Sequence, residues 1–486
     1  MKKILAALAA LTLGLALVGC SETPEKQPDD VAESTLPAED LPGIPLTGDY
    51  GRDSFRILSA GSTAHEEFTF DEESSLPLEN ARYKHKAKVE EDYNIEIEQD
   101  IKVEYSSGNG PGFQAVSKQA NSGEYNYDLC LIAGYDVSVL AYNGYLYDLN
   151  AVPGIDLSKP WWDKNAVETL SIRGVTFFTT GEITTSDNDY ALVTIFNKKL
   201  IDDYQMENPY ELVHNNEWTI EKLAEMAKQI GEDLDQNGVM DLADRVGLMV
   251  WDDSIVGIVN AAGQRCCTIN ENGEIELTIY NENTLAALED YYAIAYDNAH
   301  ALRYQRLVST MQQEREFWKG DHALFWLTWM GHVPALREME SDFGILPMPK
   351  LSPDQENYHS TIAPYHSQYI CAPLIQKDIE RTGIITEALA YYGQKIVTPA
   401  YYDISLTGQS LRDEESEEML DIVFDSLMYD IGYCYQIGPY NKQLILMLRE
   451  GDTNFTSRYD RYKPAAEIML KVINEAYTEA VAEWEN

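Results

Sequence analysis

The stretch that decides the fold lies at residues 127–136 and reads YDLCLIAGYD. Its first six residues form a short, mostly apolar run, which is typical of a buried strand. We expect a Gly134-Tyr135-Asp136 turn after this strand and then a helix. A buried strand that leads through a loop into a helix predicts an α/β architecture.

The same alternation extends along the chain in both directions. Strands are predicted at residues 55–58 and 95–97, with a helix between them, and again at 246–250 and 323–327. Thr219 is expected to cap a helix that runs to residue 230, and apolar residues at 468–480 predict a long packed helix. Open α/β sheets bind ligands at the carboxyl ends of their strands, so the loops there are the first candidates for a site.

Composition excludes some partners. The 486 residues carry 81 Asp and Glu against 36 Lys and Arg, a formal net charge of −45. Such a surface repels nucleic acid, which requires a basic face. The length suggests two or three domains, and 44% hydrophobic residues can fill sizeable cores.

The N-terminus predicts export. Lys2 and Lys3 precede an apolar run at residues 4–18, which is too short to span a bilayer. The end of this run and the two residues after it read LVGC at 17–20. This ending resembles a bacterial lipobox, which implies a signal peptide at 1–19 and a lipid on Cys20. The alternative is an ordinary secretory peptide with a chance cysteine. Residues 20–49 are acidic and rich in proline, and we expect a disordered tether there.

The other cysteines do not indicate a disulfide framework. Five cysteines remain: Cys130, Cys266, Cys267, Cys371 and Cys434. Because their number is odd and they form no C-x-x-C pair, the sequence also disfavours a structural zinc site. The adjacent pair at 266–267 is either redox-active or, as we favour, buried and inert. The sequence also lacks H-E-x-x-H, the P-loop, G-x-G-x-x-G and G-x-S-x-G.

A calcium-type loop is predicted at residues 233–244. Oxygen-bearing side chains and a central glycine follow the spacing of an EF-hand loop, with Gly238 at the sixth position. The expected ligands are Asp233, Asp235, Asn237, Val239 through its carbonyl, Asp241 and Asp244. Asp replaces the usual Glu at the last position, and a strand rather than a helix follows. We therefore expect one structural Ca²⁺. The alternative is an acidic turn that holds no ion.

Five phrases, taken in order, carry a family resemblance. They are GYLYDL at 144–149, ALVTIFNKKL at 191–200, WT at 218–219, FWKGDHA at 317–323 and FGILPMP at 343–349. From about residue 54 onward the chain resembles extracellular solute-binding protein family 1, the maltose-binding-type receptors of ABC importers. The resemblance implies a two-lobed periplasmic-binding-protein type II fold with hinge crossings. Lobe 1 would hold residues 50–189 and about 362–400, and lobe 2 residues 190–361 and about 401–486.

The resemblance also implies a mechanism without catalysis. A solute selects the closed form of a monomeric receptor, which docks on the permease subunits. Residues on cleft-facing loops are candidate ligands: Tyr135, Asp136, Tyr190, Trp251, Asp252, Asp253 and Trp329. Aromatic rings suit the apolar faces of sugars, and carboxylates suit their hydroxyls. Each candidate has a structural alternative, which is a place in the core for Trp329 and a single solvated turn for Asp252 and Asp253.

For two further features we weigh a structural role against a role in solute binding. Trp161 and Trp162 are expected to form a structural clamp, and Arg412 is either an ion-pair partner or a ligand clamp. The leading function is an extracytoplasmic receptor for a carbohydrate, with an oligosaccharide as the expected solute, on the outer face of the cell membrane or in the periplasm. The alternatives are a surface glycan-binding or glycan-processing lipoprotein, and a receptor for a cationic solute, with which Asp136 and Asp253 are compatible.

Overall fold

The first of two main sheets contains the strands that the sequence predicts near the N-terminus. In this computed structural model, which describes residues 41–104, 107–303, 310–336, 339–407 and 414–484, the sheet has the order β13-β3-β1-β2. Its strands, numbered in chain order, are β1 (Asp53–Gly61), β2 (Ile95–Val103), β3 (Leu129–Ala133) and β13 (Gln368–Cys371). β1 runs parallel to β2 and β3, whereas β13 is antiparallel to β3.

The second sheet has the order β11-β4-β10-β6-β5, and β9 also pairs with β6. Its strands are β4 (Leu192–Asn197), β5 (Gly231–Glu232), β6 (Arg245–Val250), β9 (Ala301–Arg303), β10 (Ala323–Trp329) and β11 (Phe343–Leu346). Two small sheets pair β7 (Cys267–Ile269) with β8 (Ile275–Leu277), and β12 (Ser360–Thr361) with β14 (Leu427–Met428). The predicted strands at 246–250 and 323–327 are thus confirmed, and the second extends through Trp329.

Helices cover both sheets. In chain order they are α1 (Pro77–Tyr93), α2 (Pro111–Ser122), α3 (Gly134–Tyr142), α4 (Lys164–Leu170), α5 (Ser186–Asp189), α6 (Lys198–Asp203), α7 (Pro209–His214), α8 (Ile220–Ala227), α9 (Ser254–Ala261), α10 (Glu282–Ala295), α11 (Met311–Lys319), α12 (Ile379–Thr407), α13 (Glu414–Asp425), α14 (Ile431–Cys434), α15 (Tyr440–Glu450) and α16 (Phe455–Trp484). Short 3₁₀ helices lie at Leu149–Ala151 and Met330–Leu336. Within the described part of the chain, none of these helices has the length and apolarity needed to cross a bilayer.

Two predicted boundaries differ from the structure. α3 begins at Gly134, directly after β3, so the expected turn is absent and Tyr135 and Asp136 belong to the first helical turn. Thr219 caps α8 as predicted, since its Oγ1 accepts a hydrogen bond from the Lys222 backbone N–H at 3.2 Å. That helix nevertheless ends at Ala227 rather than at residue 230.

The inner strands β1 and β3 of the first sheet are buried on both faces, which explains their apolar runs, whereas the edge strand β2 alternates buried and exposed residues. Phe55 and Ile57 of β1 face one hydrophobic cluster, to which α12 contributes Leu389, while Leu58 and Ala60 face the other. This alternation is the period of two that a strand imposes on its side chains. All five residues of β3 are buried, as expected for a strand covered on both sides.

The predicted tryptophan clamp is confirmed. Trp161 and Trp162 are buried, and their indole N–H groups donate to the two carboxylate oxygens of Glu387 on α12 at 3.1 and 3.0 Å. Burial raises the pKa of Glu387 to about 7, although these hydrogen bonds oppose the shift. The clamp joins the loop before α4 to α12.

The C-terminal helix corrects one expectation. Ile473 of α16 is buried, as predicted, but Ile468 and Val472 are 68% and 48% exposed. These two apolar side chains therefore do not pack against the rest of the protein as the prediction required.

The five cysteines within the described residues are all buried and free of disulfides. Residues 1–40, with the predicted signal, Cys20 and most of the tether, lie outside the described residues, as does Arg412. The predicted lobe boundaries remain a prediction.

Candidate functional site

Strand register brings the predicted site residues to two sheet edges. In the first sheet, Ala133 at the end of β3 pairs with Gln368 at the start of β13, so Tyr135 lies beside the residues that precede β13. In the second sheet, Leu192 at the start of β4 pairs with Trp329 at the end of β10. β6 runs parallel to β10, so Trp251 follows its strand at this same edge.

Five rings form a continuous set between these edges, which we call the ring strip: Tyr135, Tyr190, Trp329, Tyr365 and His366. Tyr190 stacks on His366 with ring centroids 5.0 Å apart, and Trp329 lies edge-on to both rings at 6.5 and 6.4 Å. His366 contacts Tyr365 at 4.8 Å, and Tyr365 contacts Tyr135 at 5.6 Å. The ring strip therefore brings together Tyr135, Tyr190 and Trp329, three of the predicted residues.

Tyr365 and His366 were missed by the sequence reasoning. They lie just before β13, inside a segment that the family resemblance marks only as a hinge crossing. The aromatic pair after Pro364 was the available signal. Burial lowers the pKa of His366 to about 4, so its ring is neutral at neutral pH. Its Nδ1 is hydrogen-bonded to Ser62 Oγ at 3.1 Å, which fixes the ring against the loop after β1.

A carboxylate lies at the Tyr135 end of the ring strip. Trp251 Nε1 donates to Asp253 Oδ2 at 3.2 Å, and the charge of Asp253 acts on the Tyr135 phenol. Burial is the larger cause that raises the pKa of Tyr135, and the nearby carboxylate adds to it. Asn441 Nδ2 donates a hydrogen bond to Tyr135 Oη. The structure thus joins Trp251 to Asp253 and leaves Tyr135 within reach of the charge of this carboxylate.

Asp136 and Asp252 have structural partners instead. Asp136 is fully buried and accepts hydrogen bonds from the backbone N–H groups of Gly110 at 2.9 Å and Phe113 at 3.2 Å, around the start of α2. Carboxylates are favoured at this end of a helix because they satisfy free N–H groups. Asp252 forms an ion pair with Arg449 at 2.5 Å. A role for Asp136 in solute binding remains a prediction.

An ionic network holds the segment that leads into β4. His65 Nδ1 lies 3.5 Å from Glu67 Oε1 and 3.7 Å from Asp189 Oδ2, and Arg82 Nε lies 2.8 Å from Glu67 Oε2. Burial alone would raise the pKa of Glu67, but Arg82 and His65 lower it to about 2. Burial alone would lower the pKa of His65, yet Glu67 and Asp189 raise it. The network anchors Asp189, the neighbour of Tyr190, to the loop after β1.

The calcium-type loop lies at the other end of β6. Carboxylate oxygens of Asp233, Asp235 and Asp244 all lie within 4.8 Å of one another, and Gly238 has a φ of +80°. Three converging carboxylates fit a hard cation such as Ca²⁺. The Asn237 and Asp241 side chains accept hydrogen bonds from backbone N–H groups inside the loop. Six residues of β6 place this loop about 20 Å from Trp251.

A groove of about 730 Å³ lies elsewhere, along β2. It is lined by charged side chains, among them Asp71, Lys86, Glu90 and Glu98. Because β2 is the edge strand of the first sheet, charges along it prevent pairing with another chain. We therefore assign the groove to edge protection.

Comparisons with known proteins identify the family of this chain. The profile of the family described as bacterial extracellular solute-binding protein matches residues 85–369, more than half of the chain. No curated protein sequence matches significantly.

Solved structures with the same fold are numerous. An ABC substrate-binding protein from Listeria monocytogenes in complex with cycloalternan has a TM-score of 0.51 at 15% identity, covering 89% of this chain and 99% of its own. The GacH receptor of Streptomyces glaucescens, solved unliganded and with acarbose, has a TM-score of 0.56 at 12% identity, covering 88% and 99%. UgpB from Mycobacterium tuberculosis with glycerophosphocholine has a TM-score of 0.54 at 13% identity, covering 87% and 98%. At these identities the likeness shows the fold alone, and it confirms the predicted two-lobed type II architecture.

Proposed function

The chain belongs to the bacterial extracellular solute-binding proteins, and from that membership we propose that it is a membrane-anchored receptor that delivers a carbohydrate to an ABC importer. The family places the protein outside the cytoplasm and gives it a substrate-binding role. Beyond this, we propose four points: that the solute is a carbohydrate, that a lipid anchors the protein, that the protein delivers the solute to a permease, and that it does not turn the solute over.

The ring strip is the observation that carries the proposal. Tyr190 and Trp329 come from the edge of the second sheet, and Tyr135, Tyr365 and His366 from the edge of the first. Sugar rings present apolar C–H faces, which pack well against aromatic rings in a cleft. Structurally similar receptors bind cycloalternan and acarbose, which supports a carbohydrate, whereas UgpB binds glycerophosphocholine.

The proposed mechanism is closure around the solute. Tyr190 follows Asp189, which the ionic network ties to the loop after β1, so a solute on the ring strip would contact both sheets beside a chain crossing. A ligand that contacts both sides selects the closed form by its differential affinity. The chain then needs no catalytic group, because the solute leaves chemically unchanged.

Calorimetry with a panel of linear and cyclic oligosaccharides tests the proposal. We expect at least one sugar to bind, to reduce the radius of gyration in small-angle scattering, and to be recovered intact by mass spectrometry. Tyr190→Ala should weaken the binding. Tyr280→Ala is the matched control, because Tyr280 stacks on Tyr459 outside the ring strip. Release of sugar fragments would indicate an enzyme, and sugar binding without closure would indicate a glycan-binding module.

We propose that Cys20 carries the lipid anchor. The support is the sequence alone, because LVGC at 17–20 ends an apolar run behind two lysines. Two or more acyl chains on one cysteine give stable anchoring where a single chain is marginal.

We also propose one structural Ca²⁺ in the loop at 233–244. The spacing of its oxygen-bearing residues and the convergence of Asp233, Asp235 and Asp244 support it. The ion would offset two of the three neighbouring negative charges and fix the entry to β6. Because the loop lies at the far end of β6 from Trp251, we expect the ion to affect stability rather than solute affinity.

A further inference from the structure

One carboxylate at the ring strip has no obvious structural role. Asp253 directly precedes α9, yet its side chain does not cap the helix. It accepts a hydrogen bond from Trp251 Nε1 instead, at 3.2 Å. Trp251 and Asp253 follow β6 at the sheet edge where Trp329 ends β10, and the charge of Asp253 acts on Tyr135 of the ring strip.

This carboxylate also lacks a cationic partner among the described residues. The positive charge that acts on it is that of Arg449, which is bound to Asp252 at 2.5 Å. Asp252 in turn adds a second negative charge beside Asp253. A carboxylate surrounded by protein without a counter-charge is costly. Burial accordingly raises the pKa of Asp253 to about 6, which still leaves the group mostly ionised at neutral pH.

Aromatic faces complete this end of the site. Trp251 is bound to the carboxylate, and Tyr135 lies within reach of its charge and in contact with Tyr365. Cations are attracted to the faces of Trp and Tyr, and the attraction strengthens when water is excluded. A carboxylate can also accept hydrogen bonds from hydroxyls, but only an ammonium group both supplies the missing counter-charge and is attracted to the ring faces.

We propose that the solute carries an ammonium group, which binds Asp253 against the rings of Tyr135 and Trp251. This inference rests on the proposed receptor function and narrows the class of its solute. A cationic amino sugar combines both requirements, since its ring can lie on the ring strip while its amine reaches Asp253.

Two matched pairs of probes test the inference without knowledge of the natural solute. Choline is compared with its uncharged isostere 3,3-dimethyl-1-butanol, and glucosamine with glucose, by ligand-observed NMR titration at neutral pH. We expect the charged member of at least one pair to bind about tenfold more tightly than the neutral one. Asp253→Asn should abolish this preference. Glu289→Gln, which removes an exposed carboxylate on α10, should preserve it.

The outcomes separate this inference from the proposed function. If neither cation is preferred in the wild-type protein, the ammonium proposal is overturned, and this result does not depend on whether a variant folds. If neutral oligosaccharides still bind and close the protein in that case, the receptor function stands alone. If no sugar and no cation binds, both proposals fail. A preference that survives in folded Asp253→Asn would place the cation elsewhere and also overturn the assignment.

Discussion

Replacement of Glu314 by Gln should change how the stability of the protein depends on pH. Glu314 lies in the first turn of α11, is 2% exposed, and accepts a hydrogen bond from Trp326 Nε1 at 2.9 Å through one oxygen. Its other oxygen is buried and has no hydrogen-bond partner among the residues that the structure describes. Burial raises the pKa of Glu314 from 4.5 to about 8, although the Trp326 hydrogen bond and Arg315 oppose the shift.

The sign and size of the effect follow from this shift. Because the pKa is higher in the folded state, the proton bound by Glu314 contributes stability that is complete below the unfolded pKa and is lost as pH rises through about 8. One pKa unit corresponds to about 1.36 kcal/mol. Between about pH 6.5 and about pH 9, the wild-type protein should therefore lose about 2 kcal/mol relative to Glu314→Gln.

Urea unfolding followed by tryptophan fluorescence at several pH values measures this difference. Comparison of the two proteins removes the contributions of all other titrating groups, including His366. Glu316→Gln is the matched control, because Glu316 is exposed on the same helix. Parallel stability profiles for wild type and Glu314→Gln would show that the Glu314 carboxyl titrates alike in both states, which would refute the reasoning.

Further predictions concern the solute, the ion, the anchor and the clamp. Trp329→Ala should weaken oligosaccharide binding by about tenfold or more in calorimetry, and unchanged affinity would remove Trp329 from the site. Asp235→Ala should abolish the heat of Ca²⁺ titration, and identical heats from the two proteins would exclude the loop as the site. Cys20→Ser should prevent metabolic lipid labelling, and a labelled variant would disprove the anchor. Glu387→Ala leaves two buried indole N–H groups without acceptors and should lower the free energy of unfolding by roughly 2–5 kcal/mol in urea titration; a loss below about 1 kcal/mol would contradict the clamp.

Elements with local signals were predictable from the sequence. The strand at 129–133 is apolar throughout because both faces of its sheet are covered, and Thr219 caps α8 through a contact only three residues away. The tryptophan clamp was predicted in role, but its partner Glu387 lies more than 200 residues later, which no local pattern shows.

The site was predictable only in part, because it depends on register. Tyr365 and His366 join the ring strip because Gln368 pairs with Ala133, a pairing between distant strands. Asp136 was predicted from a turn at Gly134, whereas the helix starts there and directs the carboxylate to the start of α2. The exposure of Ile468 was missed because apolar periodicity does not show where a helix lacks a neighbour.

The late arrival of β13 has a consequence for biogenesis. An exported chain folds as it emerges, and β3 is synthesised long before the strand that covers its outer edge. Until residue 371 has left the membrane, β3 presents unpaired backbone groups and a fully apolar sequence, the features that promote aggregation. A fragment that ends at residue 189 would keep that edge permanently and would contain only Tyr135 of the ring strip.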